Sequence, residues 1–147
     1  MGSTARADGS PRLFKIDVPA IDCFFSGTGD MFAALTIIRL REAVADAKLN
    51  STTSWLSPDD VEAADLPLAK AAEKVLASMH AVLEKTKKAR DDVLKAMQGP
   101  MGTSEKEKNG EMRMHLWKTK AAEVRLVRNL DDLKQPKVQY HAQPLEV

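Results

Sequence analysis

The chain has 147 residues, of which 44% are hydrophobic, and these values predict one globular domain with a sizeable core. Its 22 basic and 21 acidic side chains leave a formal net charge of +1, which removes the electrostatic argument for a nucleic-acid or membrane-surface partner. The single cysteine cannot form an intramolecular disulfide, and no apolar run is long enough for a signal peptide or a membrane span. We therefore expect a cytoplasmic protein.

The first 26 residues contain a turn signal and two short apolar segments. Met1 to Pro11 is rich in glycine, serine and alanine, and it ends in a typical turn sequence at positions 8–11. Arg12 to Val18 mixes apolar and charged residues as a strand does. Ile21 to Phe25 is a second apolar segment, which we interpret as a strand that runs into a glycine-rich turn.

Two longer segments have the spacing of apolar residues that is typical of helices. The pattern that starts at Met31 predicts a largely buried helix that ends near Lys48. Residues 68–97 carry one apolar stripe and predict a long amphipathic helix. Residues 50–67 between them form a polar insertion, in which Ser57, followed by a proline and two acids, predicts a short surface helix.

The last third of the chain gives shorter signals. Residues 102–111 are rich in glycine, lysine and glutamate, and we expect a mobile loop there. Glu123 to Val127 alternates in polarity as a strand does, Asn129 to Lys134 looks like one capped helical turn, and Lys137 to His141 alternates again. Taken with the two helices, these segments predict a mixed α/β protein.

The stretch Gly27-Thr28-Gly29-Asp30 lies between the predicted strand and the predicted helix, so its backbone N–H groups should lie at a helix N-terminus. Unpaired N–H groups and the helix dipole favour an anion there, and glycines let the backbone approach a ligand. Phosphoryl transfer needs such a cradle and a carboxylate that accepts the proton of the nucleophile. The same pattern also suits plain packing and helix capping, and the local residues leave both interpretations open.

Three blocks of the sequence resemble a known family. Residues 21–35, IDCFFSGTGDMFAAL, are similar to the signature near the C-terminus of ribokinase-like small-molecule kinases, and Gly-Thr-Gly-Asp-x-Phe resembles pyridoxal kinases in particular. Residues 72–86 resemble the helix that follows in that family. Glu123 to Val127, with Asp131 to Leu133, resembles its closing strand and turn. The blocks come in the order of the family.

The resemblance implies an ATP-dependent kinase that acts on pyridoxal, pyridoxine or pyridoxamine in the salvage of pyridoxal phosphate. In that family the aspartate matching Asp30 takes the proton from the 5'-hydroxymethyl group of the substrate. The N–H groups matching Gly27, Thr28 and Gly29 form the anion hole for the phosphoryl group. The family uses ATP with Mg²⁺ and a monovalent cation, K⁺ or Na⁺, and the full-length enzyme is expected to be a homodimer. Four residues are implied to line the adenine and ribose pocket: Val18, Ile21, Phe25 and Leu83.

The resemblance covers residues 1–147 as the C-terminal portion of a ribokinase-like kinase domain. Its fold would be part of an α/β doubly wound sheet that is incomplete without the N-terminal half. In the family that first half supplies most central strands, the lid and the groups that hold the pyridine ring. The chain opens like the middle of a strand-and-loop segment, so Met1 is interpreted as an internal or misassigned start. Residues 50–67 and the loop around 102–110 look like lineage-specific additions.

Two other functions stay open. One is a different sugar or small-alcohol kinase of the same fold, because substrate choice lies largely in the missing half. The other is an inactive fragment that retains nucleotide contacts, or a truncated gene model. Cys23 is interpreted as a buried packing residue. The three histidines have no spacing typical of a metal site, so no metal bound by histidine is predicted.

Overall fold

The computed structural model of the protein describes residues 1–97 and 124–145. Within these residues the chain forms three strands: β1 (Gly2–Ala5), β2 (Pro11–Lys15) and β3 (Gln143–Pro144). It also forms three α-helices: α1 (Thr28–Asp46), α2 (Pro67–Met97) and α3 (Leu130–Lys134). Three short 3₁₀ turns complete the described structure: Thr53–Trp55, Ala63–Asp65 and Val127–Asn129.

The strands form one antiparallel sheet in the order β1-β2-β3. Gly2 pairs with Phe14, and Phe14 pairs in turn with Pro144. A side chain at position 2 would collide with the ring of Phe14, because a Cβ there would lie 2.4 Å from its Cζ. The mixed α/β class is therefore confirmed, whereas the ribokinase-like doubly wound sheet remains a prediction.

Helices α1 and α2 pack against each other along their apolar faces. Met31 and Leu35 of α1 and Val75 and Val82 of α2 form one buried cluster. Each such side chain contributes about 1.5–3 kcal/mol when it is fully removed from water. Helix α3 adds Leu133 to the same cluster. The two long periodic patterns thus predicted the two helices that build the core.

A second cluster joins the sheet to the start of α2. Phe14 of β2 packs with Leu66 and Ala69, and Leu66 is completely buried. Ile16 and Val61 lie against this cluster from the strand and from the insertion. The insertion is therefore part of the packed structure.

The predicted strand at Ile21 to Phe25 is wrong, because the structure has no strand there. The N–H of Cys23 donates to the carbonyl of Ile21 at 2.8 Å, which turns the chain sharply. Phe24 is 78% exposed. An apolar run becomes a strand only when a neighbouring strand pairs with it, and no such pairing is seen over these residues.

The two later strand predictions are also wrong over the described residues. Residues 124–126 have no regular structure, and a 3₁₀ turn follows at Val127–Asn129. Residues 137–141 are irregular, and the strand begins only at Gln143. The helical turn predicted at Asn129 to Lys134 is confirmed as α3. The loop predicted at residues 102–111 lies outside the described residues.

The short helix predicted after Ser57 is absent, and Arg12 explains why. Its guanidinium donates to the carbonyls of Ser57, Pro58 and Val61, at 3.2, 2.7 and 3.3 Å. These carbonyls bind a side chain from β2, whereas in a helix they would accept backbone N–H groups. The insertion therefore wraps around Arg12 as an irregular segment between two 3₁₀ turns.

Helix α1 is less buried than its sequence predicts. Its face towards α2 is covered, whereas Phe32, Ile37 and Ile38 are 45%, 63% and 54% exposed. Ile37 lies roughly opposite Met31 and Leu35, whereas Phe32 and Ile38 flank the face that packs on α2. The apolar residues of α1 thus extend around much of the helix, and these three remain exposed.

Candidate functional site

The candidate site lies at the N-terminus of α1. Gly27 is the N-cap residue and has φ 86° and ψ 7°, a left-handed conformation that favours glycine. The N–H of Met31 donates to the carbonyl of Gly27 at 3.2 Å, which closes the first turn. The glycine therefore lets the chain change direction directly into the helix.

The first turn of α1 presents backbone donors that have no partner among the described residues. No side chain caps the helix, and no hydrogen bond within the described residues engages the N–H groups of Thr28, Gly29 or Asp30. A Cβ added at Gly27 or Gly29 would meet no atom within 4 Å, so the space beside the turn is open. This arrangement suits an anionic ligand, because the N–H groups and the helix dipole both favour negative charge.

The carboxylate of Asp30 is exposed in this same turn. A carboxylate beside a row of N–H groups can accept a proton from an alcohol held near a bound phosphate. The four residues predicted for the anion hole and the base thus occupy the N-cap and the first turn of α1, and their roles remain a prediction. Gly29, however, lies inside the helix, and the positive φ belongs to Gly27.

The residue after Asp30 anchors the site to the core. Met31 is only 4% exposed and packs in the cluster that contains Val75 and Val82 of α2. Leu83, one of the predicted nucleotide-binding residues, packs against this cluster. Asp30 is therefore held by the packing of α1 on α2.

A second contact anchors the other half of α1. Arg39 donates to the carbonyls of Leu133 and Lys134 at 2.6 and 3.0 Å, and it pairs with Glu42 at 2.7 Å. Arg39 is 7% exposed, so α3 and α1 share a buried guanidinium. Contacts at Met31 and at Arg39 therefore both hold α1 in its orientation.

The predicted nucleotide-binding residues take different places among the described residues. Ile21 lines a groove of about 920 Å³ between the segment at residues 19–22, α2 and the segment at 139–140. Val18 and Phe25 are half-buried and lie outside the lining of this groove. Leu83 contacts the core below α1. The assignment of these four residues to a nucleotide pocket remains a prediction.

The groove contains charged residues that the sequence reading did not assign to a site. They lie on one face of α2, at positions separated by three, four or seven residues. This spacing is the feature of the sequence that could have shown that they lie together. His80 and the hydroxyl of Tyr140 form a hydrogen bond of 3.2 Å at one end. Both signs of charge line the groove: Glu84, Lys87, Lys88, Asp91 and Lys95.

Cys23 differs from its predicted role as a buried packing residue. It is half-buried, and Arg90 Nη1 donates to its sulfur at 2.9 Å. Arg90 also pairs with Asp91 at 3.0 Å. The cysteine therefore ties the segment before Gly27 to a polar part of α2. Residues 1–97 and 124–145 contain no group of three or more His, Cys, Asp or Glu side chains arranged to hold a metal ion.

The comparisons with known proteins give one informative similarity. A curated protein of Schizosaccharomyces pombe, named "Putative pyridoxal kinase", is 34% identical over 88 residues, which cover 58% of this chain. The chain spans about a quarter of that relative, since the match covers 24% of its length. No family model matches the chain. The similarity supports a pyridoxal kinase-like relationship.

In the part of the chain that the structure describes, no helix combines the length and the apolar character needed to cross a bilayer.

Proposed function

We propose that this chain is the phosphoryl-transfer part of a pyridoxal kinase, which moves the γ-phosphoryl group of ATP to the 5'-hydroxymethyl group of pyridoxal, pyridoxine or pyridoxamine. The observation that carries the proposal is the first turn of α1, where N–H groups without a partner in the described structure lie beside the exposed carboxylate of Asp30. The similarity to the S. pombe protein supports the choice of pyridoxal-type substrates over other small alcohols.

In the proposed reaction, Asp30 accepts the proton of the substrate hydroxyl while the oxygen attacks the γ-phosphorus. The bond from that phosphorus to the bridging oxygen of ADP breaks, and ADP leaves with the bond electrons. The N–H groups of Thr28 and Gly29 donate to the phosphoryl oxygens and stabilise the charge that spreads over them. The left-handed conformation of Gly27 lets the chain turn directly into the helix that carries these N–H groups.

The proposal includes Mg²⁺ and a monovalent cation, K⁺ or Na⁺, as cofactors. The described residues contain no cluster of three or more metal-binding side chains. Mg²⁺ in such reactions is commonly bound by one or two carboxylates together with substrate phosphates, and it neutralises charge on the phosphates. Asp30 is the residue of the site with the chemistry to contact it.

We also propose that the active kinase contains further polypeptide beyond these 147 residues. Two observations support it: the chain spans a quarter of its relative, and α1 exposes Phe32, Ile37 and Ile38. A helix of an α/β layer buries its apolar side chains against a sheet, and these three side chains of α1 are left exposed in the described structure. The groups that hold the pyridine ring would come from the additional polypeptide.

The decisive experiment measures kinase activity in the longest protein encoded by the transcript that contains this chain. We expect ATP-dependent phosphorylation of pyridoxal, and we expect Asp30→Asn to lower kcat by about 100-fold or more with little change in ATP affinity. Asp46→Asn, at the other end of α1, is the matched control and should leave kcat unchanged. The activity should be followed by coupled assay with pyridoxal, pyridoxine, pyridoxamine and a panel of sugars.

Each alternative predicts a different result. Near-normal kcat in Asp30→Asn would exclude the aspartate as the base. Preferential turnover of a sugar would identify a kinase of another substrate class. A folded full-length protein that turns over no alcohol would refute the kinase proposal itself.

A further inference from the structure

One edge of the groove beside α2 is formed by the irregular segment that precedes β3. Gln139 and Tyr140 of this segment line the groove of about 920 Å³. A smaller cavity of about 110 Å³ lies beside it. His80, Glu84 and Tyr140 line both cavities, so these three side chains lie where the two cavities meet.

A single hydrogen bond holds this edge of the groove on α2. Within the described part of the chain, residues 136–141 make one hydrogen bond to the rest of the structure, between the Tyr140 hydroxyl and His80 Nδ1 at 3.2 Å. The two rings also pack edge-on, with their centroids 5.2 Å apart. The next hydrogen bond along the chain is that of the Ala142 N–H, which donates to Glu73 at 2.8 Å.

The same nitrogen of His80 faces a second partner. Glu84 follows one helical turn later, and its Oε2 lies 3.6 Å from His80 Nδ1. That distance is too long for a hydrogen bond. The side chain of Glu84 is 63% exposed and can move closer, whereas that of His80 is 13% exposed and is held in the structure. One ring nitrogen thus lies between a hydroxyl and a carboxylate.

The charge of the ring decides which partner is favoured. A neutral imidazole that carries its proton on Nε2 has a lone pair on Nδ1, which accepts a hydrogen bond from the Tyr140 hydroxyl. A protonated imidazole has no lone pair there, because both nitrogens carry a proton. Its Nδ1–H favours the carboxylate of Glu84, since hydrogen bonds between two charged groups are the stronger ones.

The other charges around His80 do not compete with Glu84. Among the described acidic side chains, Glu84 alone lies within ion-pair distance of His80. Asp132 of α3 is paired with Lys85. The neighbouring His141 lies 3.8 Å from Glu73 and is 69% exposed, so water screens that pair. Four further charged groups face the two cavities within two turns of His80 or from the segments packed against it: Asp22, Lys87, Lys88 and Lys137. The remaining charged wall residues lie eleven or more positions later, about 16 Å or more along α2.

We propose that His80 is a pH-dependent clasp of this groove. Neutral His80 binds the Tyr140 hydroxyl and keeps residues 137–141 against α2. Protonated His80 turns to Glu84 and releases Tyr140, which frees this edge of the groove. Histidine is the side chain that changes its charge between pH 5 and 8, so the release follows a fall in pH through that range. The clasp does not involve Asp30 and does not rest on the proposed kinase function.

The test follows the 147-residue chain by NMR between pH 5 and 8. Long-range ¹H–¹⁵N spectra of the imidazoles report the charge and the tautomer of His80. We expect the neutral ring to carry its proton on Nε2. The amide resonances of residues 138–141 should shift with the same midpoint as the His80 ring, and their ¹H–¹⁵N nuclear Overhauser effects should be lower at pH 5 than at pH 8.

Two variants should move the titration midpoint of the His80 ring in opposite directions. Tyr140→Phe removes the partner of the neutral ring, so the midpoint should rise, by about 0.4–1 pH unit for one hydrogen bond. Glu84→Gln removes the partner of the protonated ring, so the midpoint should fall, by about 0.2–0.4 pH unit for a pair of this spacing on a helix.

The two histidines provide a matched control. His80→Gln should abolish the pH response of the amides of residues 138–141 between pH 5 and 8. His141→Gln, next to Tyr140 in the chain, should retain that response with an unchanged midpoint. Circular dichroism checks that each variant is folded.

Three results would overturn the proposal. The first is a neutral His80 with its proton on Nδ1, which could not accept from Tyr140. The second is a titration of the His80 ring that the amides of residues 138–141 do not follow. The third is a shift of the midpoint in the same direction in Tyr140→Phe and Glu84→Gln, since the two side chains would then not compete for the ring.

Discussion

Gly27 and Gly29 provide a matched pair of substitutions that tests the geometry of the candidate site. Both are exposed, and a Cβ at either position would meet no atom within 4 Å. They differ in the backbone, because Gly27 has φ 86° whereas Gly29 lies within α1. Alanine at the two positions should therefore have opposite effects on stability.

The magnitudes follow from the two conformations. A left-handed conformation costs a residue with a Cβ roughly 1–2 kcal/mol, so Gly27→Ala should lower the free energy of unfolding by that amount. Gly29→Ala should raise it by up to about 1 kcal/mol, because alanine loses less backbone entropy in a helix. The difference of about 1–3 kcal/mol corresponds to melting temperatures roughly 2–12 °C apart in a chain of this size.

Urea denaturation followed by far-ultraviolet circular dichroism measures both effects on one scale. The slope of the transition should be the same in the two variants, so that a change in midpoint reports stability alone. If Gly27→Ala proves as stable as the wild type, the left-handed entry into α1 is not the structure in solution. A large loss of stability in Gly29→Ala would mean that Gly29, and not Gly27, has the left-handed backbone conformation.

Further predictions concern the anchoring of α1, the hairpin and the activity of the chain alone. Arg39→Met leaves two carbonyls without their donor and should lower the free energy of unfolding in urea by about 2–3 kcal/mol. The control Arg41→Met, at an exposed position of the same helix, should change it by no more than about 0.5 kcal/mol. Equal losses in the two variants would exclude the anchoring role of Arg39. The pKa of Asp8 lies below its ordinary value of 3.8 because the hydroxyl and N–H of Ser10 donate to its carboxylate. Ser10→Ala should raise the pKa of Asp8 in an NMR titration, and an unchanged pKa would contradict the contact. Because the pKa of Asp8 is lower in the folded state, the contact stabilises the fold above pH 3.8, and this stabilisation is lost as the pH falls through the lowered pKa. The purified 147-residue chain should show no turnover with ATP, magnesium and pyridoxal, and turnover that Asp30→Asn abolishes would show that it needs no further polypeptide.

The sequence by itself determined the two long helices and the residues at the head of α1. Periodicity over a dozen or more residues specifies both the helix and the face that it buries, which is why α1 and α2 were predicted with boundaries near those observed. The Gly-Thr-Gly-Asp stretch predicted a helix N-terminus from local chemistry alone. Gly27 is the N-cap and Asp30 lies in the first turn, as expected, because the start of a helix depends on residues that are close in the sequence.

The tertiary structure alone decided the short segments. Residues 2–5 have the composition of a turn, yet they form β1 because β2 pairs with them and the ring of Phe14 lies over Gly2. Ile21 to Phe25 has the composition of a strand, yet it is irregular because no strand is paired with it. A segment of four or five residues has too little intrinsic preference to select its own state.

The insertion shows the same limit through one buried side chain. Ser57 and the residues after it satisfy the local rules for a helix start, and Arg12, more than forty positions earlier, binds their carbonyls instead. Local sequence describes which states a segment can adopt. The buried guanidinium of Arg12 decides among them, because it needs hydrogen-bond acceptors. Leaving it without acceptors would cost more free energy than a short helix after Ser57 would contribute.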